Sequence, residues 1–444
     1  MTVWIAGHGH MVRLQRIVVN MTLKTNELFV PLAEATGETC GGKAGVLGVL
    51  LRAGLAVPDG FVVPFAVHDA AVRDLAPHTS HRHGLGTLRA AVESRPLPFA
   101  VVKALERALE GLGNQPVAVR SSAANEDTSE ASAAGQYDSV LAVCGVADVA
   151  AAVRTCWASL HSPRATAYRT RFGEDGSGSE DPAIAVIVQR HLDAEVSGVM
   201  FTPAGQDEPT AIEASWGLGP SVAAGTVTPD TYHVHPDGTV TCVVADKPTR
   251  LDRVGTQLAT RAVPRESRQR STLDEATATT LATLGSNVAA TLGAAQDIEW
   301  SIADNRLWLL QARPITAAPP APPPSSAPSG PVTLSGTPAS RGTATGTART
   351  VQGPQDFGRI RPGDILICPY TDPAWTPLLR IAAGVVTEAG GALSHAAIVA
   401  REHQIPAVLG IPGATTITDG SVVTIDGTAG TVTTTHAGPT PPTR

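Results

Sequence analysis

Aromatic residues are scarce in this chain, 4% of 444 residues, and cysteine is scarcer still, with five. The five (Cys40, Cys144, Cys156, Cys242 and Cys368) are scattered, odd in number, and form no CxxC pair. That pattern argues against a disulfide framework or a zinc site and fits reduced thiols in a cytoplasmic protein. No run of apolar residues reaches the length of about 18 needed to cross a bilayer, so no membrane helix is expected. An excess of positive charge is missing too. Lys and Arg number 33 against 40 Asp and Glu, a net charge of −7, which argues against a nucleic-acid partner. The opening MTVWIAGHGHMVRLQRIVVN lacks an apolar h-region and a small-residue cleavage site, so it is not read as a secretory signal. Residues 1–23 are instead expected to be a disordered extension. The rest is rich in Ala, Gly, Thr and Pro and long enough for about two or three globular domains.

The stretch that organises the chain is 387–415, TEAGGALSHAAIVAREHQIPAVLGIPGAT. It reads as a strand over 384–387, a glycine-rich turn, and a helix opening at Ser394–His395. Ala396, Ala397, Ile398 and Val399 form a small apolar face, and Gln404-Ile405-Pro406 ends the helix. His395 then occupies the first turn, where free N–H groups and the positive end of the dipole disfavour an imidazolium and favour a phosphate. A neutral histidine there can act as a nucleophile, and the same N–H groups would solvate its phosphorylated form. Gly390 and Gly391 let the backbone approach a ligand, and Ser394 is a capping residue whose hydroxyl can also bond phosphate. The bland alternative is a capping histidine on a surface turn.

Further upstream, GETCGGKAGVLG (37–48) is almost a phosphate loop, but Ala44 stands where a Ser or Thr would hold Mg²⁺. Lys43 is therefore left between a turn residue and a phosphate contact of another kind. Residues 97–113 read as an amphipathic helix and 117–119 as a short buried strand. Arg120 follows at the strand end, where its planar, permanently charged fork can grip phosphate oxygens. Ser121, Ser122 and the small-residue loop to Gly135 offer N–H groups to phosphates, although Glu126–Glu130 alone would suit a solvated acidic loop. Residues 183–189 form a β-branched strand with 198–202 as its expected partner. Gln189 either addresses an adenine through its amide or sits on an exposed edge. In QDIEWSIADNRLWLLQARPIT (296–316), alternation puts Asp297 and Glu299 on one face and Gln311 and Arg313 on one face. A three-residue loop would bring the four together and a two-residue loop would split them, so a ligand-binding hairpin calls for an odd loop. Such a face offers oxygen ligands for Mg²⁺ and a cation for phosphate.

TEAGGALSHAAIVARE followed by IPAVLG resembles the phosphohistidine motif of the PEP-utilising enzymes, which include PEP synthase, pyruvate phosphate dikinase and rifampicin phosphotransferase. GGKAGVLGVLLRAGLAVPDGFVV, RSSAxxED with AGQYDS, EASWGLG with PD, and the 296–316 hairpin resemble the family's nucleotide-binding half. The resemblance spans about residues 37–435. It implies an α/β (α+β) chain, an ATP-grasp domain over 24–316 and a swivelling β/β/α phosphohistidine domain over 332–435. It makes His395 the catalytic phosphoryl carrier, with Thr387, Gly390, Gly391 and Ser394 forming its loop. It gives Lys43, Arg120, Gly135, Ser139, Gln189, Glu299, Gln311 and Arg313 to ATP, and Glu299 and Gln311 to Mg²⁺. Ser139 stands where the family often has threonine and keeps the hydroxyl. The run from Glu213 to Gly219 is expected to be scaffold.

Residues 317–331, AAPPAPPPSSAPSGP, hold seven prolines and read as a semi-rigid linker of roughly 40 Å if extended. A tail follows at 436–444. The family's PEP synthases continue into a pyruvate-binding barrel, and none is expected after Arg444. Three readings follow. One is a phosphotransferase acting on a small acceptor such as pyruvate, bound here or on a separate subunit, or an antibiotic phosphotransferase-like enzyme. The second is a phosphocarrier serving another protein, and the third is a remnant without turnover. Intact Lys43, Arg120, Glu299, Gln311, Arg313 and His395 speak against the last.

Overall fold

The computed structural model describes residues 28–73, 85–124, 126, 135–166, 183–318, 320 and 333–435. The expected extension at 1–23, the tail at 436–444, most of the linker and much of the 124–134 loop lie outside these residues.

Three larger sheets carry the fold. The first is five-stranded, in the order Val30–Pro31, Gly60–Val63, Ile184–Arg190, Val117–Ala123, Ser139–Val143, with every pair antiparallel. The run at 184–188 is apolar without alternation because both faces of its sheet are covered. Ile184, Val186 and Val188 point into one core with the helices Phe99–Gly111 and Gly145–Ser159, while Ala185 and Ile187 point into another. The second core is filled by the helix Gly37–Arg52, whose Ala44, Leu47 and Leu50 sit between the first sheet and the second.

The second sheet is six-stranded and antiparallel, in the order Arg306–Pro314, Gln296–Ala303, Val196–Phe201, Thr210–Trp216, Asp230–Val234, Val240–Val243. One face is backed by the helix Glu275–Leu292, capped by Asp274, whose side chain accepts from Thr277 N at 2.8 Å. Here an expectation fails. The strands Ile184–Arg190 and Val196–Phe201 do not pair; they belong to different sheets. The short connection between them bridges the two lobes and leaves a cleft.

The third sheet has eight strands and a parallel centre formed by Thr343–Thr350, Ile365–Cys368, Gly384–Thr387 and Ala407–Leu409. One face carries the helices Thr376–Leu379 and His395–Glu402 and is filled by Leu366, Trp375, Leu379, Ala397 and Leu409. The strand–turn–helix expected around His395 is present. The mixed α/β class expected from the sequence therefore holds: two lobes around a cleft, followed by a smaller sheet-and-helix body.

Candidate active site

Gly41 and Gly42 owe their identity to close packing. Gly41 has φ 82°, and a Cβ there would lie 2.3 Å from the Ser122 carbonyl; one on Gly42 would lie 2.1 Å from that of Glu126. Ala44 N donates to Ser122 Oγ at 3.1 Å. The glycines let the turn of the 117–126 segment press onto the start of the helix, and this brings Lys43 against Glu126. Glu126 is 2% exposed, pairs with Lys43, and also accepts from Ala123 N at 3.1 Å. It is a buried counter-ion for Lys43, not part of a solvated loop. Gly-Gly-Lys here sits within a kinked helix and does not form a strand-to-helix phosphate loop.

The hairpin at 296–314 overturns the expected odd loop. Asp304 and Asn305 form a two-residue turn, both with positive φ (53° and 55°), and Ala303 pairs with Arg306. The polar residues nevertheless come together, because a bulge shifts the register between Glu299 and Trp300. Trp300 opposes Leu309, Glu299 opposes Gln311, and Asp297 opposes Arg313. Leu310 is the extra residue, and its carbonyl accepts from Arg120 Nη1 at 2.5 Å. Arg120 Nη2 reaches Gln311 Oε1 at 2.6 Å and Glu299 Oε2 at 3.4 Å. Arg313 Nε and Nη2 both meet Asp297 Oδ2 at 2.8 Å. Burial raises the Asp297 carboxyl pKa against the pull of Arg313. Ser139 lies directly across the first sheet from Arg120. Gln189 is buried and donates one N–H of its Nε2 to the Pro58 carbonyl at 2.8 Å, which fixes the orientation of its amide at the cavity wall.

These residues line one cavity of about 450 Å³, which brings together Lys43, Arg120, Gly135, Ser139, Gln189, Glu299, Gln311, Arg313 and His395. Asp297 joins them. His395 reaches it from the third sheet, at the start of its helix and 8% exposed, with Nε2 buried and unpartnered. Burial first, then the charges of Arg313 and Arg164, push the imidazole pKa down to about 3. The ring is therefore neutral at physiological pH, with desolvation and the two arginines as the causes instead of the helix end invoked from sequence. Ser394 is the N-cap by position but its hydroxyl makes no capping bond; it is buried and unpartnered beside His395. Thr387 closes the loop internally, its Oγ1 donating to the Ala389 carbonyl at 2.5 Å. Gly390 has φ 116°.

Sequence reasoning missed what receives this loop. Glu213, expected to be scaffold, is 1% exposed and lies so close to Gly391 that a Cβ there would fall 2.3 Å from its Oε2. Burial raises its carboxyl pKa to about 7; the N–H groups of Leu393 and Ala392 and the charge of Arg401 pull against that rise. Those N–H groups point toward the carboxylate but outside the geometry of formed hydrogen bonds. Val199, Phe201, Val222 and Val227 of the second lobe pack with Leu393 and Ile398 of the third body. Nothing in local pattern marks Glu213, because its partner is about 180 residues away along the chain.

Residues 37–327 match the family model described as pyruvate phosphate dikinase, AMP/ATP-binding domain, and 360–430 match that of the PEP-utilising enzyme, mobile domain. The chain belongs to this family of PEP-utilising enzymes. It is similar to a protein of Methanothermobacter thermautotrophicus named "Probable phosphoenolpyruvate synthase", 36% identical over 88% of this chain and 61% of that one. It is also similar to the phosphoenolpyruvate synthases of Aeropyrum pernix, 33% identical over 88% of this chain and 56% of that protein, and Pyrococcus furiosus, 35% over 78% and 45%. The chain thus spans about half to three-fifths of the length of these relatives. Among the described residues, no helix is long and apolar enough to cross a membrane.

Proposed function

We propose that this chain carries the ATP half of a dikinase-type phosphotransferase, in which Mg-ATP phosphorylates His395 and the carrier passes the phosphoryl group to an acceptor. The observation behind this reading is the neutral, unpartnered Nε2 of His395, which opens into the same cavity as Lys43, Arg120 and Arg313. In the tautomer with its proton on Nδ1, Nε2 presents a lone pair and needs no general base. Nε2 bonds to the β phosphorus as the bond from that phosphorus to the α–β bridging oxygen breaks, and AMP leaves with that oxygen. Water then releases the terminal phosphate as inorganic phosphate, leaving phosphohistidine. Lys43, Arg120 and Arg313 hold the phosphates, and Gly135, Ser139 and Gln189 border the nucleotide.

The donor set fits Mg²⁺. Glu299 and Gln311 stand opposite each other on neighbouring strands and offer hard oxygens on the cavity wall, one of them anionic. Magnesium is commonly held by one or two such groups together with substrate phosphates. When bound it supplies positive charge that offsets the charge of the phosphates.

In this reading 24–316 is the nucleotide domain, 317–331 a tether, and 332–435 a carrier that swivels, with Thr387, Gly390, Gly391 and Ser394 shaping its loop. The relatives are named phosphoenolpyruvate synthase, which supports pyruvate as the acceptor, bound on a further domain or a separate subunit; the scattered, unpaired cysteines support the cytoplasm as the compartment. Incubation with Mg²⁺ and ATP labelled separately at the β and γ positions tests it. Acid-labile β label that is lost in His395→Ala, with AMP released, is the expected result. Retained label in that variant would put the carrier elsewhere.

A further inference from the structure

Arg401 stands in the last turn of the helix that His395 opens. Its Nε donates to the Ala317 carbonyl at 3.1 Å, and its Nη1 to those of Ala339 at 2.9 Å and Ala392 at 2.7 Å. The guanidinium lies 6.0 Å from the centre of the Phe201 ring. Its remaining nitrogen, Nη2, is buried without a partner, and the charges of Glu213, Asp297 and Glu402 act on it. One side chain therefore touches three parts of the molecule. Ala392 belongs to the histidine loop and Ala339 to the third sheet; Phe201 belongs to the second lobe, and Ala317 follows the last strand of that lobe. The neighbouring Glu402 accepts from Thr316 Oγ1 at 3.0 Å and fastens the same stretch.

We propose that Arg401 is a positioning residue, a latch that holds the histidine loop in the ATP cleft and gathers the start of the linker as it does so. The inference rests on the reading of His395 as a phosphoryl carrier. If the third body moves away, the bonds to Ala339 and Ala392 travel with it, whereas the bond to Ala317 and the contact with Phe201 must break. Arg401 thus distinguishes the docked position from any other. A guanidinium can serve three carbonyls at fixed angles and lie over an aromatic face at once; an ammonium cannot match that geometry. Its reach covers the step in which ATP is the donor and not the later transfer to an acceptor.

The test compares the full chain with Arg401→Gln and Arg401→Lys, using Mg-ATP labelled at the β position, equilibrium ATP binding and amide hydrogen exchange. In Arg401→Gln the labelling rate at saturating ATP is expected to fall about 10- to 100-fold, the scale for misplacing a reacting group by about 1 Å. ATP affinity should stay unchanged, and Arg401→Lys should fall between the two. Exchange should quicken at 315–318 and 391–396 but not in the strands Thr343–Thr350 and Ile365–Cys368. Labelling at the wild-type rate would overturn the latch and leave the carrier reading standing. Exchange quickened throughout the third sheet would reveal a merely structural arginine and also overturn it. Should the wild-type chain take no label, the carrier reading falls, and the exchange pattern alone judges the latch: local quickening supports it, none refutes it.

Discussion

Two buried side chains face each other's domains with opposite proton balances. Docked, Glu213 holds its proton up to about pH 7; freed to water it would titrate near the usual carboxyl value of about 4.3. In the proposed swivelling of the carrier, seating it would therefore take up a proton between those values. Docking is strongest below the lower one and weakens as pH rises through the upper. His395 behaves inversely, since its docked pKa of about 3 lies below that of a free imidazole. Its contribution is complete above about pH 6.5 and is lost only as pH falls toward the lower value. Labelling of His395 is thus expected to decline from pH 6 to 8.5, and Glu213→Gln should flatten that profile. A decline that persists undiminished in Glu213→Gln would remove the carboxyl from the account. The groups acting on Glu213 are Arg401, whose pKa is lowered only to about 10 and which stays charged across this range, and two backbone amides.

At the scale of the element, the hairpin shows how much a pattern can say. Alternation alone places Asp297 with Glu299 and Gln311 with Arg313. It does not say whether the two pairs share a face, because that depends on register. The turn is even, and the bulge at Leu310 supplies the missing residue. The bulge is secured from outside the hairpin by Arg120, whose fork holds the Leu310 carbonyl and the Gln311 amide together. Lysine reaches one of these but not both. Arg120→Lys is expected to cost about 1.5–3 kcal/mol, the range for a hydrogen bond to a charged group, seen as a lower thermal midpoint and weaker ATP binding. Unchanged values for both would show that the bulge holds itself.

On the scale of the whole molecule, the cavity exists because a loop from one body closes against a cleft in another. Val227 is 4% exposed among Phe201, Val222, Leu393 and Ile398. A carboxylate there would be desolvated only when the bodies meet, at a cost of several kcal/mol. Val227→Asp should therefore bind ATP as the parent does but label His395 at least about 100-fold more slowly. Equal loss of ATP binding would place Val227 in the lobe's own core instead.

The chain's residues determined by themselves what is local: the strand–turn–helix around His395, the alternating faces of the hairpin, and the fold class. Those follow from spacing and glycine placement, which act over a few residues. The tertiary structure alone decided which strands pair across the cleft, that Leu310 bulges, that Glu126 neutralises Lys43, and that Glu213 and Arg401 receive and hold the histidine loop. Each of these depends on burial or approach between segments tens to hundreds of residues apart. Desolvation, the largest cause of the shifts at both His395 and Glu213, has no existence until those segments meet.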